Sequence, residues 1–295
     1  MNFTPFTNST PDLAHPDALR ERMQRDGYLY LSGMLPAEAT GPLYRAILSL
    51  CREAGWANGE DRAQGEPRLE GSSPWWDVYD PLQKLELFHA LPHRPEMVGV
   101  IKVLTGEPVL VHPRNIARVT FPGAAFFTTP AHQDHPLIQG TPDTYTSWIP
   151  LCDCPGALGG LAVLEGSHRF GLLPVHRAAG PGGLTVDTDI PGCVWRSQDM
   201  KEGDVILFHS LTVHAARPNI TTDSLRVSVD YRYQGVSQPV VADSLEPHYG
   251  RITWGEIFMG WTSNLPWYWS RQPLNIVARS LALQTPVERK PSGAD

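Results

Sequence analysis

The chain has 295 residues, a formal net charge of −7, and 41% hydrophobic and 19% charged residues. That length supports a sizeable core in one β-rich domain or two small ones. The acidic balance argues against nucleic acid as a partner, since phosphate contacts call for basic surface.

MNFTPFTNSTPDL, at the start, has neither the basic nor the apolar region of a signal peptide, and residues 1 to about 15 read as a loose polar tail. Ala18 to Arg25 reads as a helix, GYLYLSGML (27–35) as a first strand, and Pro36 opens a helix with Leu43, Ala46, Ile47 and Leu50 at helical spacing. The Gly-rich segment 56–74 reads as a loop, and Leu82 to Leu104 as a second helical stretch broken near Leu91-Pro92. From Pro108 the pattern changes to short β-like runs: PVLV (108–111), NIARVTF (115–121), YTSWIPL (145–151), GLAVLEG (160–166), DVILFHS (204–210) and SLRVSVDYRY (224–233). Such runs, each closed by turn residues, predict a sandwich or barrel, with 167–200 as a long loop. An aromatic segment with Trp254, Phe258, Trp261, Trp267, Tyr268 and Trp269 follows, then a polar tail.

No apolar run approaches the roughly 20 residues of a membrane span, so no membrane association is expected. Cys51, Cys152, Cys154 and Cys193 are too scattered for a disulfide framework and are read as reduced thiols, which points to the cytoplasm.

The most informative residues are His132-Gln133-Asp134, His214 in GDVILFHSLTVHAARPN (203–219), and Arg226. On a strand, His132 and Asp134 would share a face, with His214 arriving from a distant strand. Two histidines and a carboxylate on one side of an octahedral ion are the donor set of non-haem Fe(II) oxygenases. Arg226 and Ser228 would share the next strand's face, two donors aimed at one carboxylate.

With these residues in view, the chain resembles the phytanoyl-CoA dioxygenase (PhyH-like) family of Fe(II)/2-oxoglutarate-dependent oxygenases. The resemblance runs from DGYLYLSGMLP (26–36) through GGLAVLEGSH (159–168) to RVSVDYRY (226–233). It implies a mainly β fold with flanking helices, built on a double-stranded β-helix (jelly-roll, cupin-like) core. One domain would span 1–295: a helical and strand part at 16–107, the core at about 108–240, and an aromatic cap at 241–283. It also implies His132, Asp134 and His214 as iron ligands, and Arg226 with Ser228 as the clamp on the far carboxylate of 2-oxoglutarate. Thr146, Trp148 and Gln133 would neighbour that co-substrate. The implied reaction consumes O2, oxidises (most readily hydroxylates) an unactivated C–H bond, and releases succinate and CO2. Halogenating relatives lack the carboxylate that Asp134 supplies, so its presence favours hydroxylation.

Two alternatives stay open: a metal-dependent cupin enzyme that does not use 2-oxoglutarate, and a non-catalytic ligand-binding barrel. The expected substrate is a small molecule, a cyclic or basic natural product, walled by Trp75, Trp76 and Asp77 or by Trp254 and Trp261. Asp77 and Asp80 would suit a basic group. The aromatic C-terminal segment is also a candidate homodimer contact.

Overall fold

The computed structural model describes residues 2–59 and 61–288. Helix α1 (Pro16–Asp26) begins on a proline and ends at Gly27, whose φ of 80° turns the chain into strand β1 (Tyr28–Leu31). Helix α2 (Ala37–Glu53) buries Leu43, Ile47, Leu48 and Cys51 along one stripe. A two-residue-per-arm hairpin, β2 (Ala57–Asn58) and β3 (Arg62–Ala63), precedes helices α3 (Trp76–Gln83), α4 (Glu86–Ala90) and α5 (Pro95–Thr105). Strands β4 (Val109–Val111) and β5 (Ile116–Thr120), the short helix α6 (His135–Ile138), and strands β6 (Tyr145–Pro150) and β7 (Leu161–Glu165) come next. Then follow β8 (Val175–Arg177), β9 (Leu184–Val186), β10 (Val194–Arg196), β11 (Val205–His209), β12 (His214–Ala216) and β13 (Arg226–Gly235). Strand β14 (Pro239–Val241), helix α7 (Trp254–Ile257) and strand β15 (Asn275–Val277) end the regular structure.

The strands form two main antiparallel sheets. One runs β1-β11-β6-β13-β4, with β5 also on β13; the other runs β10-β7-β12. A bridge between His132 and His214 adds the segment before α6 to the free side of β12. Val186 of β9 donates to Ala131 O at 3.0 Å, so the β8–β9 hairpin extends that side further.

Strand β13 explains where the site lies. Its alternate residues Val227, Val229, Tyr231 and Tyr233 join one apolar core with Leu19, Leu43, Ile47, Val78, Phe88 and Ile101 from the helices. The residues between them, Arg226, Ser228, Asp230 and Arg232, are buried and polar and point to the opposite face. The helices therefore cover one side of the large sheet, and a polar interior lies on the other.

Two expectations are corrected here. The N-terminal stretch is not loose: Phe6 is buried, Ser9 N donates to Tyr30 O at 2.8 Å, and Thr4 bridges Arg196. The region 167–200 is not a plain loop but carries β8, β9 and β10. The expected polar tail falls partly on 289–295, outside the described residues.

Candidate active site

His132 and His214 are locked together by paired backbone hydrogen bonds, N to O at 2.9 and 3.0 Å. Each ring's Nδ1 faces a backbone carbonyl, Pro130 O at 2.8 Å and Thr212 O at 3.0 Å. A carbonyl only accepts, so both Nδ1 atoms carry the proton and both Nε2 lone pairs are free. Those Nε2 atoms lie 3.6 and 3.9 Å from Asp134 Oδ1. All three ligand atoms sit within 4.8 Å of one another, a spacing that one ion with bonds of about 2 Å can bridge. It is the one such cluster among the described residues. The donor set therefore fits a divalent metal with open positions.

The local geometry differs from the sequence expectation. His132 sits in an isolated bridge, whereas Asp134 has helical backbone angles (φ −70°, ψ −33°) and leads into α6. The carboxylate thus reaches the histidines by a helical turn rather than by strand alternation. Thr146 Oγ1 donates to Asp134 Oδ2 at 2.6 Å, which fixes the carboxylate and leaves Oδ1 toward the histidines.

Burial opposes charge on Asp134, 2% exposed, yet the nearby Arg232 guanidinium holds its carboxyl well below the usual range. Burial, with His132 alongside, pushes His214 down to about 3, so it stays neutral at physiological pH, the form in which an imidazole can ligate.

Two cavities meet at this centre. The inner one is lined by His132, Asp134, His214, Thr146, Trp148 and Arg226. Arg226 is 2% exposed; it donates to Gly159 O and, at 2.8 Å, to Thr120 Oγ1, and its Nε has no partner. Its guanidinium lies 5.9 Å from the Trp148 ring centre. Gly159, at φ 82°, presents that carbonyl where any Cβ would come within 2.5 Å of Arg217 O. Ser228, two residues along the same face, is fully buried with an unpartnered hydroxyl. Arg226, which lines the inner cavity, and Ser228 beside it on β13 are thus two buried donors in want of an acceptor. The outer cavity, about 320 Å³, shares His132, Asp134, Arg118 and Arg232 with the inner one and adds His112, Arg114, His248 and Arg279.

The phytanoyl-CoA dioxygenase (PhyH) family model matches residues 23–227 of this sequence, which spans the whole constellation from β1 to Arg226. The chain belongs to the phytanoyl-CoA dioxygenase family. It is accordingly an oxidoreductase of the Fe(II)/2-oxoglutarate type. Curated relatives include the 1-deoxypentalenic acid 11-beta-hydroxylases of Streptomyces arenae and Streptomyces exfoliatus. The first is 27% identical over 269 residues, covering 83% of this chain and 90% of the relative. The second is 27% identical over 261 residues, covering 82% and 89%. Among solved structures, the non-haem alpha-ketoglutarate-dependent carbocyclase SnoK from nogalamycin biosynthesis is 25% identical with a TM-score of 0.53, over 80% of this chain and 89% of SnoK. The epimerase SnoN, in complex with Fe3+, alpha-ketoglutarate and nogalamycin RO, shares the fold at 22% identity and a TM-score of 0.56, over 77% and 86% of the chains.

Within this member of the family, several anticipated residues lie elsewhere. The Gln133 amide donates to Gly171 O at 2.8 Å and Leu211 O at 2.7 Å and accepts from Leu173 N at 2.8 Å, so it ties loops together and does not line the inner cavity. Trp254 is packed with Leu110, Val240 and Trp269, its indole N–H on Leu245 O at 2.9 Å; Trp261 caps Lys84 O at 2.9 Å. Neither lines the cavities at the triad, because their apolar faces found β4 and β14 rather than the metal side. Trp75 borders a third cavity that reaches Arg226, while Trp76 packs on Tyr249 and Arg251. Asp77 is exposed and Asp80 is paired with Arg251 at 3.2 Å, so neither offers a charge to the outer cavity.

The residues that sequence reasoning passed over are Arg118, Arg232 and Arg114. Arg232 had a signal: it extends the alternation of Arg226, Ser228 and Asp230 on a strand whose other face is apolar.

Proposed function

We propose that this protein hydroxylates an unactivated C–H bond of a small natural product, with 2-oxoglutarate as co-substrate. The observation that carries the reading is the convergence of two free histidine Nε2 lone pairs and Asp134 Oδ1 beside the buried donors of Arg226 and Ser228. The relatives named for 1-deoxypentalenic acid hydroxylation and the carbocyclase from nogalamycin biosynthesis support the substrate class. The two sheets, with the triad at one end between them, suit a double-stranded β-helix of about 108–240, flanked by 16–107 and capped by 241–283 in one domain.

In this reading His132, Asp134 and His214 hold the iron. When bound, iron and 2-oxoglutarate supply the oxidising power, the latter leaving as succinate and CO2. Thr146 keeps Asp134 in its ligating rotamer. Arg226 and Ser228 hold the far carboxylate of 2-oxoglutarate, and Trp148 walls its site. Buried side chains around the triad exclude water, so the donors act at low dielectric. The aspartate fills the position that a halide would need, which favours hydroxylation.

The test is a turnover assay with 1-deoxypentalenic acid and related ring systems. Succinate should form together with an oxidised product, and Asp134→Ala should abolish both. Full turnover in Asp134→Ala, or turnover without 2-oxoglutarate, would refute the assignment. We also propose a homodimer contact at the C-terminal segment, where Met259, Trp267 and Ile276 are exposed. A sedimentation mass of one chain at micromolar concentration would reject it.

A further inference from the structure

The outer cavity is lined by more arginines than carboxylates, and the arginines are unequally paired. Four arginines line it, Arg114, Arg118, Arg232 and Arg279, against two carboxylates, Glu70 and Asp134. Arg118 is neutralised by Glu70 at 2.8 Å and Asp230 at 3.1 Å, and Arg279 by Asp243 at 2.6 Å. Arg232 is 9% exposed, and its Nε is buried without a partner. Its nearest carboxylate is Asp134 Oδ1 at 3.5 Å, the oxygen that also faces the two histidines. Arg114 makes one hydrogen bond, Nε to the backbone carbonyl of Glu246 at 3.1 Å, and among the described residues no carboxylate pairs with it. Burial disfavours the charge on Arg114; Asp243 and Glu246 attract it without reaching salt-bridge distance, while Arg232 and Arg279 repel it. The neighbouring rings do not compensate: His112 bonds Gln234 Oε1 at 2.9 Å and His248 bonds the Tyr79 hydroxyl.

Holding two desolvated, mutually repelling guanidinium groups in one wall is unfavourable unless an anion completes the site. Their planar forks suit a carboxylate. Ile116, Leu137, Ile138 and Pro181 supply apolar lining around them. We infer that the substrate is a carboxylic acid on an apolar skeleton, its carboxylate bound by Arg114 and Arg232 in the outer cavity. This rests on the oxygenase reading of the triad, and it replaces the basic substrate expected from Asp77 and Asp80. The co-substrate does not account for Arg114, which lines the outer cavity but not the inner one with Arg226.

The experiment compares 1-deoxypentalenic acid and abietic acid with their methyl esters, titrated calorimetrically into the iron- and 2-oxoglutarate-loaded enzyme without oxygen. Each acid should bind about tenfold or more tighter than its ester. Arg114→Gln should erase that preference while the 2-oxoglutarate affinity stays unchanged, and Arg114→Lys should restore part of it. Equal binding of acid and ester, no binding of either acid, or a preference that survives Arg114→Gln would each overturn the inference. Acid selectivity in a protein that fails to bind 2-oxoglutarate would sustain the anion site and refute the oxygenase reading, so the two failures are separable.

Discussion

Thr146 joins the metal centre to the large sheet: it stands on β6 opposite Phe208 and Arg232, and its hydroxyl holds Asp134 at 2.6 Å. Thr146→Val keeps the shape and removes that bond, so metal affinity should fall by about 10- to 100-fold while Thr146→Ser stays near wild type. Equal affinities for wild type and Thr146→Val in a Co(II) titration would contradict the role. Arg226→Ala should weaken 2-oxoglutarate binding by about 3 kcal/mol, roughly a hundredfold, because it removes a buried cation from its anion. An unchanged dissociation constant would reject the clamp. At this scale the sequence was informative where several residue types had to agree: His132, Asp134, His214 and Arg226 do meet at one place. It was poor on side-chain direction. Gln133, flanked by two members of the triad, turns its amide toward Gly171 and Leu211, and no periodicity reveals a rotamer in irregular chain.

Strand β13 is the element that decides which side of the large sheet is apolar and which is chemical. Phe88 of α4, fully buried, packs on Tyr231, whose hydroxyl donates to Phe88 O at 2.9 Å. Phe88→Ala should cost about 3–5 kcal/mol of stability, since it opens a cavity under the strand that carries Arg226. A chemical denaturation midpoint unchanged in that variant would contradict the packing account. The longer strands and α1, α2 and α5 were legible, because each buries enough apolar residues to show its period. Strands β8, β9, β10 and β12, with three residues each, are too short for alternation to register among turn residues. His214 opens one of them, so its neighbours gave less guidance than its downstream spacing to Arg226.

Across the molecule, buried neutral histidines couple folding to pH. Burial depresses His89 and His112 from 6.5 to about 4, although each keeps a hydrogen bond, to Gln83 O and Gln234 Oε1. The unfolded chain therefore binds more protons than the folded one between pH 6.5 and 4. Their contribution is fully present above the unfolded value and is lost as pH falls through that window. Each removes about 1.4 kcal/mol per pH unit. Urea midpoints should hold near neutral pH and drop steadily below 6.5, less so in His112→Asn; a flat profile down to pH 4 would contradict this. The general architecture followed from the change of pattern at Pro108, but the position of the aromatic C-terminal segment did not. Trp254 and Phe258, four residues apart, stack with ring centres 5.3 Å apart, but that spacing does not tell what the pair covers. The most direct test of the whole account is an anaerobic Fe(II) titration with and without 2-oxoglutarate, watched for the visible charge-transfer band of the chelate. A band that requires both components and disappears in His132→Ala is the predicted result. Iron binding that leaves no such band when 2-oxoglutarate is added would contradict the central claim.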